Sequence, residues 1–400
     1  MASTAFSLRR IGPEITGPPG KSTTDRCSPT AQDGSSEEMA DHLQHAGKIL
    51  PVFSIGYTWA DICGNGITFA KLTAGTVCLN HAVLDNQHGG KLLSHQRTLE
   101  RSVRCEGVGL HTGGRVSMTL NPAPVNRGVV FRRTDLPGTP LIEARPAHVV
   151  DTQNATTVAK NGASVRTIEH LMSALAGTGV DNVQVDLTGP EVPILDGSAA
   201  PFVELLRRAG LRRQFAPKTF LKVRQPITVE VGTRSLRIVP SERLKVIYTM
   251  CFDHPLLGEQ TVAMELNRER YARDVAPSRT YGFLRDLDML ARLGLAKGGS
   301  LENALIIGEE GVLNGPLRFP DELVRHKILD LLGDLYLLGK PLVGTIIAHG
   351  AGHKLHVQLV HRIQEHLGLE PEPLSLSASA VEQWVSPLLP ATGPLKAAAI

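Results

Sequence analysis

The 400-residue sequence has few aromatic residues and few cysteines, and both shortages exclude classes of function. Aromatic residues make up 4%, which leaves little material for the base-stacking surfaces of single-stranded nucleic-acid binders. The five cysteines are odd in number and form no CxxC pair, which argues against a disulfide framework and a cysteine-based zinc site. They are Cys27, Cys63, Cys78, Cys105 and Cys251. Any metal ion is therefore expected to be held by histidine and carboxylate side chains, in a reducing compartment.

Long apolar runs and blocks of one charge are also missing. No stretch reaches the roughly 18 apolar residues of a membrane-spanning helix, and the most apolar N-terminal region, residues 49–79, is interrupted by Asp61 and Lys71. The net charge of +3 comes from interspersed acidic and basic residues, so no nucleic-acid partner is predicted. A basic start with Arg9 and Arg10 weakly resembles an organellar transit peptide. We expect a cytoplasmic protein without stable membrane insertion, with an organelle as the alternative if that start is a genuine leader.

The chain is longer than one hydrophobic core usually needs, which predicts two domains with additional terminal segments. Residues 1–94 begin with a run of small and polar residues and are expected to form a largely disordered N-terminal extension. A repeated plan of strands and helices places domain I at residues 95–217 and domain II at residues 218–368. Residues 369–400, rich in Pro, Ser and Ala, are expected to be a loose C-terminal tail.

Alternating apolar residues predict strands, and apolar residues at helical spacing predict helices, in both halves. The first half is expected to contain strands over 115–120, 128–131 and 183–187, and helices over 168–175 and 200–209. For the first of these helices, Thr167 is the predicted N-cap and Gly177 the predicted C-cap. The second half is expected to contain strands over 227–231, 236–239, 244–251 and 342–348, and helices over 321–338 and 357–367. This predicts the α+β class, with two similar domains that each consist of a sheet and packed helices.

The predicted helix over residues 321–338 carries an apolar stripe and, on another face, three polar residues. His326, Asp330 and Asp334 follow each other at four-residue spacing, so their side chains stack along one line. An imidazole and a carboxylate one turn apart can hold one ion from the same side. A polar stripe opposite an apolar one is also typical of any surface helix, so the spacing alone favours a solvated face.

Glu169 and His170 are adjacent on the shorter helix, about 100° apart around its axis. One side chain can then bind a metal ion while the other reaches the ion's water, although a lone histidine on an apolar helix is more often a satisfied core residue. Together, His170, His326 and Asp330 supply two nitrogens and one oxygen, which suits a catalytic zinc ion with one open position. Glu169 is then the predicted general base.

His353 follows a glycine, and glycine lets a loop approach another site closely. A protonated imidazole at this position can stabilise an oxyanion or protonate a leaving amine, and Asp334 can keep it charged. The alternative is a histidine in a surface loop, because three further histidines lie nearby in the sequence: His349, His356 and His361.

Seven motifs between residues 96 and 367 resemble, in order, those of the UDP-3-O-acyl-N-acetylglucosamine deacetylases of lipid A biosynthesis. Seven ordered motifs over this length are far more specific than any single one. They are QRTL at 96–99, GVGLHTG at 107–113, TIEH at 167–170, DGSAAPF at 196–202, PSRTYGF at 277–283, RHKILDLLGD at 325–334 and GH at 352–353.

The resemblance implies two α+β domains with the active site between them and a bound Zn²⁺ ion. The implied zinc ligands are His170, His326 and Asp330. The implied catalytic residues are the general base Glu169, His353, its acidic partner Asp334, and Thr280 near the oxyanion. The implied substrate contacts are Lys327, Tyr281, Leu110 and Ser300. Tyr281 stands where the family more often has Phe, and residues 294–308 match an insertion that shapes a tunnel for the acyl chain.

The implied reaction is hydrolysis of the 2-acetamido group of a UDP-linked acylated amino sugar, giving acetate and a free amine. The first 94 residues depart from the family, whose members begin near Gln96; a start codon assigned upstream or an organellar leader would each explain them. An inactive sugar-nucleotide-binding protein would be expected to lack Glu169 or a ligand, and a zinc peptidase to contain HExxH. The sequence meets neither expectation. A deacetylase of another amide is the closest alternative, iron is the alternative metal, and a monomer is expected.

Overall fold

The computed structural model describes residues 94–254 and 257–367 of the chain. These residues form a mixture of α-helices and β-sheets, which confirms the predicted α+β class. The extension predicted over residues 1–94 lies, apart from Ser94, outside the described residues, and so does the tail predicted over 369–400. Within the described ranges, no helix combines the length and the apolar character needed to cross a membrane.

The described first half of the chain contains ten strands and two α-helices. The strands are β1 (His95–Leu99), β2 (Val103–Val108), β3 (Arg115–Pro122), β4 (Val129–Arg133), β5 (Leu141–Glu143), β6 (Val149–Asp151), β7 (Thr157–Lys160), β8 (Ala163–Val165), β9 (Val183–Leu187) and β10 (Leu211–Pro217). The helices are α1 (Glu169–Thr178) and α2 (Ala200–Ala209). The predicted bounds of β9 and α2 match the observed ones.

The described second half has ten strands and four α-helices. The strands are β11 (Leu221–Lys222), β12 (Ile227–Val231), β13 (Arg234–Val239), β14 (Lys245–Cys251), β15 (Glu259–Glu265), β16 (Tyr281–Phe283), β17 (Leu305–Gly308), β18 (Gly311–Val312), β19 (Leu342–Val343) and β20 (Thr345–His349). The helices are α3 (Arg268–Arg270), α4 (Leu287–Arg292), α5 (Glu322–Leu335) and α6 (His353–His366). A π-helical turn, Tyr271–Val275, follows α3.

Each half contains a five-stranded sheet with the same order of strands. The first sheet has the order β2-β3-β9-β4-β5 and the second has the order β12-β13-β20-β14-β15. In each sheet the strand that comes last in the chain occupies the centre. That central strand pairs antiparallel with one neighbour and parallel with the other. The repeated plan read from the sequence is therefore present in the strand order.

The ends of α1 differ from the predicted caps. Thr167 has a φ of +57° and donates its hydroxyl hydrogen bond to the Glu191 carboxylate at 2.7 Å, so it does not cap the helix. At the other end Gly179, with a φ of +79°, terminates the helix in the left-handed region. Gly177 lies inside the helix instead, where a Cβ atom would stand 2.1 Å from the ring of Tyr271. The glycine at 177 is thus explained by close packing against Tyr271.

The start of α6 also differs from the prediction, which began this helix at residue 357. His353 is the first residue of the observed helix, and Gly352 before it is extended. His353 is therefore fixed at a helix N-terminus rather than carried on a loop. The strand predicted over 342–348 is divided at Gly344 into β19, which pairs with β11, and β20, which belongs to the five-stranded sheet.

Helices α1 and α5 pack with their backbones in contact. A Cβ atom on Gly333 of α5 would lie 2.0 Å from the carbonyl oxygen of Glu169 in α1. Only glycine permits so short a distance between the helices. Their contact lies within one continuous apolar core, to which α1 contributes Leu171 and α5 contributes Ile328. The close crossing brings the Glu169-His170 pair next to the polar residues of α5.

Candidate active site

The three polar residues spaced along α5 are buried. His326, Asp330 and Asp334 are each at most 2% exposed, so the solvated-face interpretation of this stripe is wrong. Helix α5 packs against α1 and α6. These two helices cover its polar side, so a pattern that is typical of a surface helix lies in the interior. Buried imidazole and carboxylate groups must be satisfied by partners, since desolvation without them is strongly unfavourable.

His170, His326 and Asp330, here called the metal triad, converge on one point. Their ligand atoms all lie within 4.8 Å of one another. Nε2 of His170 lies 3.5 Å, and Nε2 of His326 lies 3.4 Å, from the same Asp330 Oδ1 atom. Metal–ligand bonds of about 2.0–2.1 Å in a tetrahedron place neighbouring ligand atoms about 3.3 Å apart. The observed separations are thus those expected between ligands of one tetrahedral ion.

The protonation of the triad also suits a cation. His326 Nδ1 lies 3.0 Å from the carbonyl oxygen of Ser278, which only accepts, so Nδ1 carries the proton and Nε2 presents a lone pair. Burial lowers the pKa of His326 to about 3, which keeps the ring neutral. Burial alone would raise the pKa of Asp330, but the positive charge of the adjacent Lys327 helps to hold it well below its usual range. Two imidazoles and an ionised carboxylate therefore fit a divalent metal ion.

The carboxylate of Glu169 lies next to the triad and is 3% exposed. Burial raises its pKa, which makes it a stronger base than an exposed glutamate. The backbone N–H of Thr156 donates to Glu169 Oε2 at 3.0 Å. Oε1 lies 3.9 Å from Nε2 of His353, too far for a direct hydrogen bond, so both atoms remain available to a group between them.

A second buried group, here called the Asp334 cluster, consists of Asp334, His353, His356 and Thr156. Asp334 Oδ2 accepts hydrogen bonds from Nδ1 of His353 at 2.7 Å and from Nδ1 of His356 at 2.8 Å. Asp334 Oδ1 accepts from the Thr156 hydroxyl at 2.6 Å. These contacts contradict the surface-loop alternative for His353. They leave its Nε2 facing Glu169.

The charges in the Asp334 cluster are strongly coupled. Burial raises the pKa of Asp334, but His353 and the hydrogen bonds outweigh it and bring the value to about 2. Burial lowers the pKa of His353, but the charge of Asp334 outweighs it and raises the value to about 9. The His353 imidazole is thus positively charged at neutral pH. Burial lowers the pKa of His356, so this second imidazole is the neutral one.

Two residues of this cluster were not predicted from the sequence. His356 was one of several nearby histidines, and its spacing of three from His353 becomes a signal only once both are known to lie on α6. Thr156 precedes β7 and is fully buried, but it has no motif or periodicity that marks it. Its role depends on contacts with residues 13 and 178 positions away.

The predicted substrate residues lie on the elements around the triad. Lys327 donates to Asp330 Oδ2 at 2.7 Å, and its Nζ lies 5.7 Å from the ring centre of Tyr281. Burial lowers the pKa of Lys327, but Asp330 outweighs it and raises the pKa. The Tyr281 ring meets His326 edge-on, with ring centres 6.2 Å apart. Lys327 and Tyr281 are therefore in direct contact with metal-triad residues.

The other three predicted residues, Thr280, Leu110 and Ser300, make backbone contacts on neighbouring segments. Thr280 lies between Ser278 and Tyr281, and its N–H donates to the carbonyl oxygen of Gly197 at 2.8 Å. The Leu110 carbonyl accepts from Gly298 at 3.0 Å, which joins the 107–113 loop to the 294–308 segment. Ser300 lies on that segment, and its N–H donates to Asn303. Within the described ranges, no hydrogen bond or ion pair links these three predicted residues to the metal triad.

Two cavities in the described part of the chain lie away from these groups. One of about 460 Å³ is lined by Arg127, Lys218 and Lys340 among others, and one of about 500 Å³ by Phe220 and Leu332 among others. Neither is lined by a residue of the metal triad or the Asp334 cluster. The buried polar groups and these two cavities therefore occupy different places in the described structure.

Known proteins resemble the chain across its described part. The sequence profile of the family described as LpxC, UDP-3-O-acyl N-acetylglycosamine deacetylase, matches residues 96–365. Three similar proteins carry the name UDP-3-O-acyl-N-acetylglucosamine deacetylase. The one from Acidithiobacillus ferrooxidans is 49% identical over 271 residues, which cover 67% of this chain and 89% of that protein. Those from Myxococcus xanthus and Syntrophotalea carbinolica are each 47% identical over 270 residues, covering 67% of this chain and 86% and 87% of those proteins.

Proposed function

Because the chain belongs to the UDP-3-O-acyl N-acetylglycosamine deacetylase family, we propose that it hydrolyses UDP-3-O-(3-hydroxyacyl)-N-acetylglucosamine. The reaction removes the 2-acetyl group and gives acetate and a free amine, a committed step of lipid A biosynthesis. The observation that carries this proposal is the convergence of the metal triad beside the buried carboxylate of Glu169. A metal-dependent amide hydrolase combines these two features: a Lewis-acid site and an adjacent base.

We assign the metal triad to Zn²⁺. Two imidazole nitrogens and one carboxylate oxygen suit zinc, and ferrous iron accepts the same donor set. When bound, such an ion supplies Lewis acidity that makes water more acidic and polarises a carbonyl group. His326 is held for this task by its Nδ1–H bond to Ser278, and Asp330 by its bond to Lys327.

Glu169 and His353 divide the proton transfers in this proposal. Glu169, whose basicity is raised by burial, takes the proton of the attacking water on Oε1. His353 is charged at neutral pH, so its Nε2–H stabilises the negative charge that develops on the amide oxygen. The same Nε2–H then protonates the departing amine. Asp334 holds His353 through Nδ1 throughout, which fixes Nε2 as the reacting nitrogen.

The remaining predicted residues complete the proposal. Thr280 supports the oxyanion, while Lys327, Tyr281, Leu110 and Ser300 contact the substrate. Residues 294–308 form the passage for the acyl chain. We also propose two domains, residues 95–217 and 218–368, with the active site between them, since His170 comes from α1 and His326 from α5. A cytoplasmic monomer remains the expectation from the sequence.

Metal analysis combined with an acetate-release assay on the UDP-sugar tests the proposal. The purified chain should contain about one equivalent of zinc or iron per site and should release acetate. Glu169→Ala and the isosteric Glu169→Gln should keep the metal but lose acetate release, because both lack the base. Near-normal turnover in either variant contradicts the role of Glu169. A folded wild-type chain that binds no metal contradicts the metal site itself.

A further inference from the structure

Thr156 touches both helices of the site and is fully buried. Its backbone N–H donates to Glu169 Oε2 at 3.0 Å, and its carbonyl oxygen accepts from Ile168 N–H at 3.3 Å. Both bonds tie its main chain to the start of α1. Its hydroxyl donates to Asp334 Oδ1 at 2.6 Å, which ties its side chain to α5. One residue thus connects the carboxylate of Glu169 with the carboxylate of Asp334.

The three bonds received by Asp334 determine how far its carboxylate can turn. Oδ2 accepts from two imidazoles, whereas Oδ1 has a single donor in the Asp334 cluster, the Thr156 hydroxyl. An ionised carboxylate offers about four lone-pair sites, and donors on both oxygens hold its plane. Without the Thr156 bond, Oδ1 loses the donor that opposes the pull of the imidazoles. Rotation of the Asp334 carboxylate then moves His353, which is bonded to it.

We propose that Thr156 is a positioning residue of the deacetylation: it sets the distance between the Glu169 carboxylate and the His353 imidazole by holding Glu169 directly and His353 through Asp334. The inference rests on the proposed function, because it assigns these two groups to the proton transfers. The gap that Thr156 maintains is 3.9 Å, from Glu169 Oε1 to His353 Nε2. Small displacements of reacting groups lower rates strongly, so the hydroxyl should affect turnover more than substrate binding.

The next residue offers a matched control. Thr157 is also buried, but its hydroxyl has no hydrogen-bond partner in the described part of the chain. Thr→Val replaces a hydroxyl by a methyl group of similar volume at either position. Thr156→Val removes the bond to Asp334 and a longer contact of 3.4 Å with His353 Nδ1, whereas Thr157→Val removes no hydrogen bond. The pair therefore separates the effect of the bond from that of placing a valine in this loop.

The test measures kcat, KM, bound metal and thermal unfolding for Thr156→Val, Thr157→Val and Thr156→Ser. Thr156→Val should lower kcat by about 10- to 100-fold, as a small misplacement of a reacting group can do, with KM and metal content near the wild-type values. Thr156→Ser keeps the hydroxyl and should restore most of kcat. Thr157→Val should resemble the wild type. If Thr156→Val does not fold, Thr156→Ala against Thr156→Ser provides the same comparison of a missing with a present hydroxyl.

A double-mutant cycle with Asp334→Asn shows whether Thr156 acts through Asp334. The two substitutions together should be little slower than Asp334→Asn alone, because residues in one network are not additive. Full additivity, a kcat for Thr156→Val within about twofold of wild type, or a serine variant as slow as the valine variant overturns the inference. A wild-type chain that releases no acetate refutes the proposed function and this inference together. An active wild type with any of those three results refutes this inference alone.

Discussion

Two buried groups on α5 and its neighbours each combine one aspartate with two histidines, but the histidine rings face the carboxylate through different nitrogens. The metal triad has Asp330 and two histidines, and the Asp334 cluster has Asp334 and two histidines. In the triad, Nε2 atoms stand 3.4 and 3.5 Å from the carboxylate oxygen. In the cluster, Nδ1 atoms stand 2.7 and 2.8 Å from it.

The orientation of the histidine rings explains why the two groups suit different chemistry. His326 donates its Nδ1–H to the Ser278 carbonyl, so the Nε2 lone pair points at the ionised oxygen of Asp330, and two electron-rich atoms face each other. A cation at the centre of the triad stabilises that arrangement. In the Asp334 cluster the Nδ1–H groups of His353 and His356 donate to the carboxylate, so the network is satisfied by its own hydrogen bonds. The first group suits a metal ion and the second suits proton transfer.

Removing a ligand of the metal triad should have the largest effect on metal binding and activity. His326→Ala is expected to lower metal affinity by more than about 100-fold, the upper range for losing a mere outer partner of a ligand, and to abolish acetate release. Metal analysis by mass spectrometry after dialysis measures the first effect. His361→Ala, a half-buried histidine of α6 outside both groups, is the control and should retain metal and activity. Stoichiometric metal in His326→Ala would show that the triad is not the site.

Separating α1 from α5 should affect the triad through His170. Gly333→Ala places a Cβ 2.0 Å from the Glu169 carbonyl oxygen, so the helices must move apart. We expect a loss of about 1–3 kcal/mol in the free energy of unfolding, as for overpacked cores, together with weaker metal binding. Denaturant titration measures the first effect. Gly114→Ala, whose Cβ would meet its nearest neighbour at 3.8 Å, is the control. Equal stability of the two variants would contradict the close crossing.

Neutralising Asp334, the carboxylate of the second group, should leave the metal bound but change the pH dependence of kcat/KM. Asp334 raises the pKa of His353 to about 9, so the charged imidazole is present at neutral pH and is lost as pH rises through that value. In Asp334→Asn the pKa of His353 falls. The alkaline limb of the kcat/KM profile should therefore move to lower pH, by about 1–3 pH units. An unshifted limb would mean that His353 is not the group that loses its proton there.

A smaller effect is expected from the second imidazole of the Asp334 cluster. His356→Leu removes one donor to Asp334 and should lower kcat about tenfold. His356→Asn keeps an N–H near the position of Nδ1 and should recover most of that loss. Steady-state kinetics on both variants, with metal content as a control, measures the difference. Similar rates for the two variants would show that the hydrogen bond to Asp334 is not what matters at this position.

The smallest effect is expected beside the triad, at Tyr281. Its ring packs edge-on against His326, but its hydroxyl makes no hydrogen bond to another described residue. Tyr281→Phe keeps the ring and should change kcat/KM by less than about twofold. Tyr281→Ala, which removes the ring, serves as the comparison and should be clearly slower. A large loss in Tyr281→Phe would assign a role to the hydroxyl.

Local patterns made much of the fold predictable. The strand β9, the helix α2 and the body of α5 follow from apolar spacing, because period-2 and period-3.6 patterns depend only on neighbouring residues. The ends of α1 were predicted wrongly, since Gly177 looks like a cap but is there to fit Tyr271. The start of α6 was missed because a glycine before His353 suggests a loop. The predicted domain boundaries and terminal segments remain predictions.

The residue types of the candidate site and their local order could be read from the sequence. It placed His326, Asp330 and Asp334 on one line of a helix and set Glu169 next to His170. The burial of this line depends on tertiary packing. So do the contacts of Asp330 with Nε2 atoms, the contacts of Asp334 with Nδ1 atoms, and the link that Thr156 makes between Glu169 and Asp334. Local spacing and long-range contacts therefore carry different information about the site. Spacing fixes which side chains share a helix face, whereas ring orientation depends on partners from distant segments, such as Ser278 and Thr156.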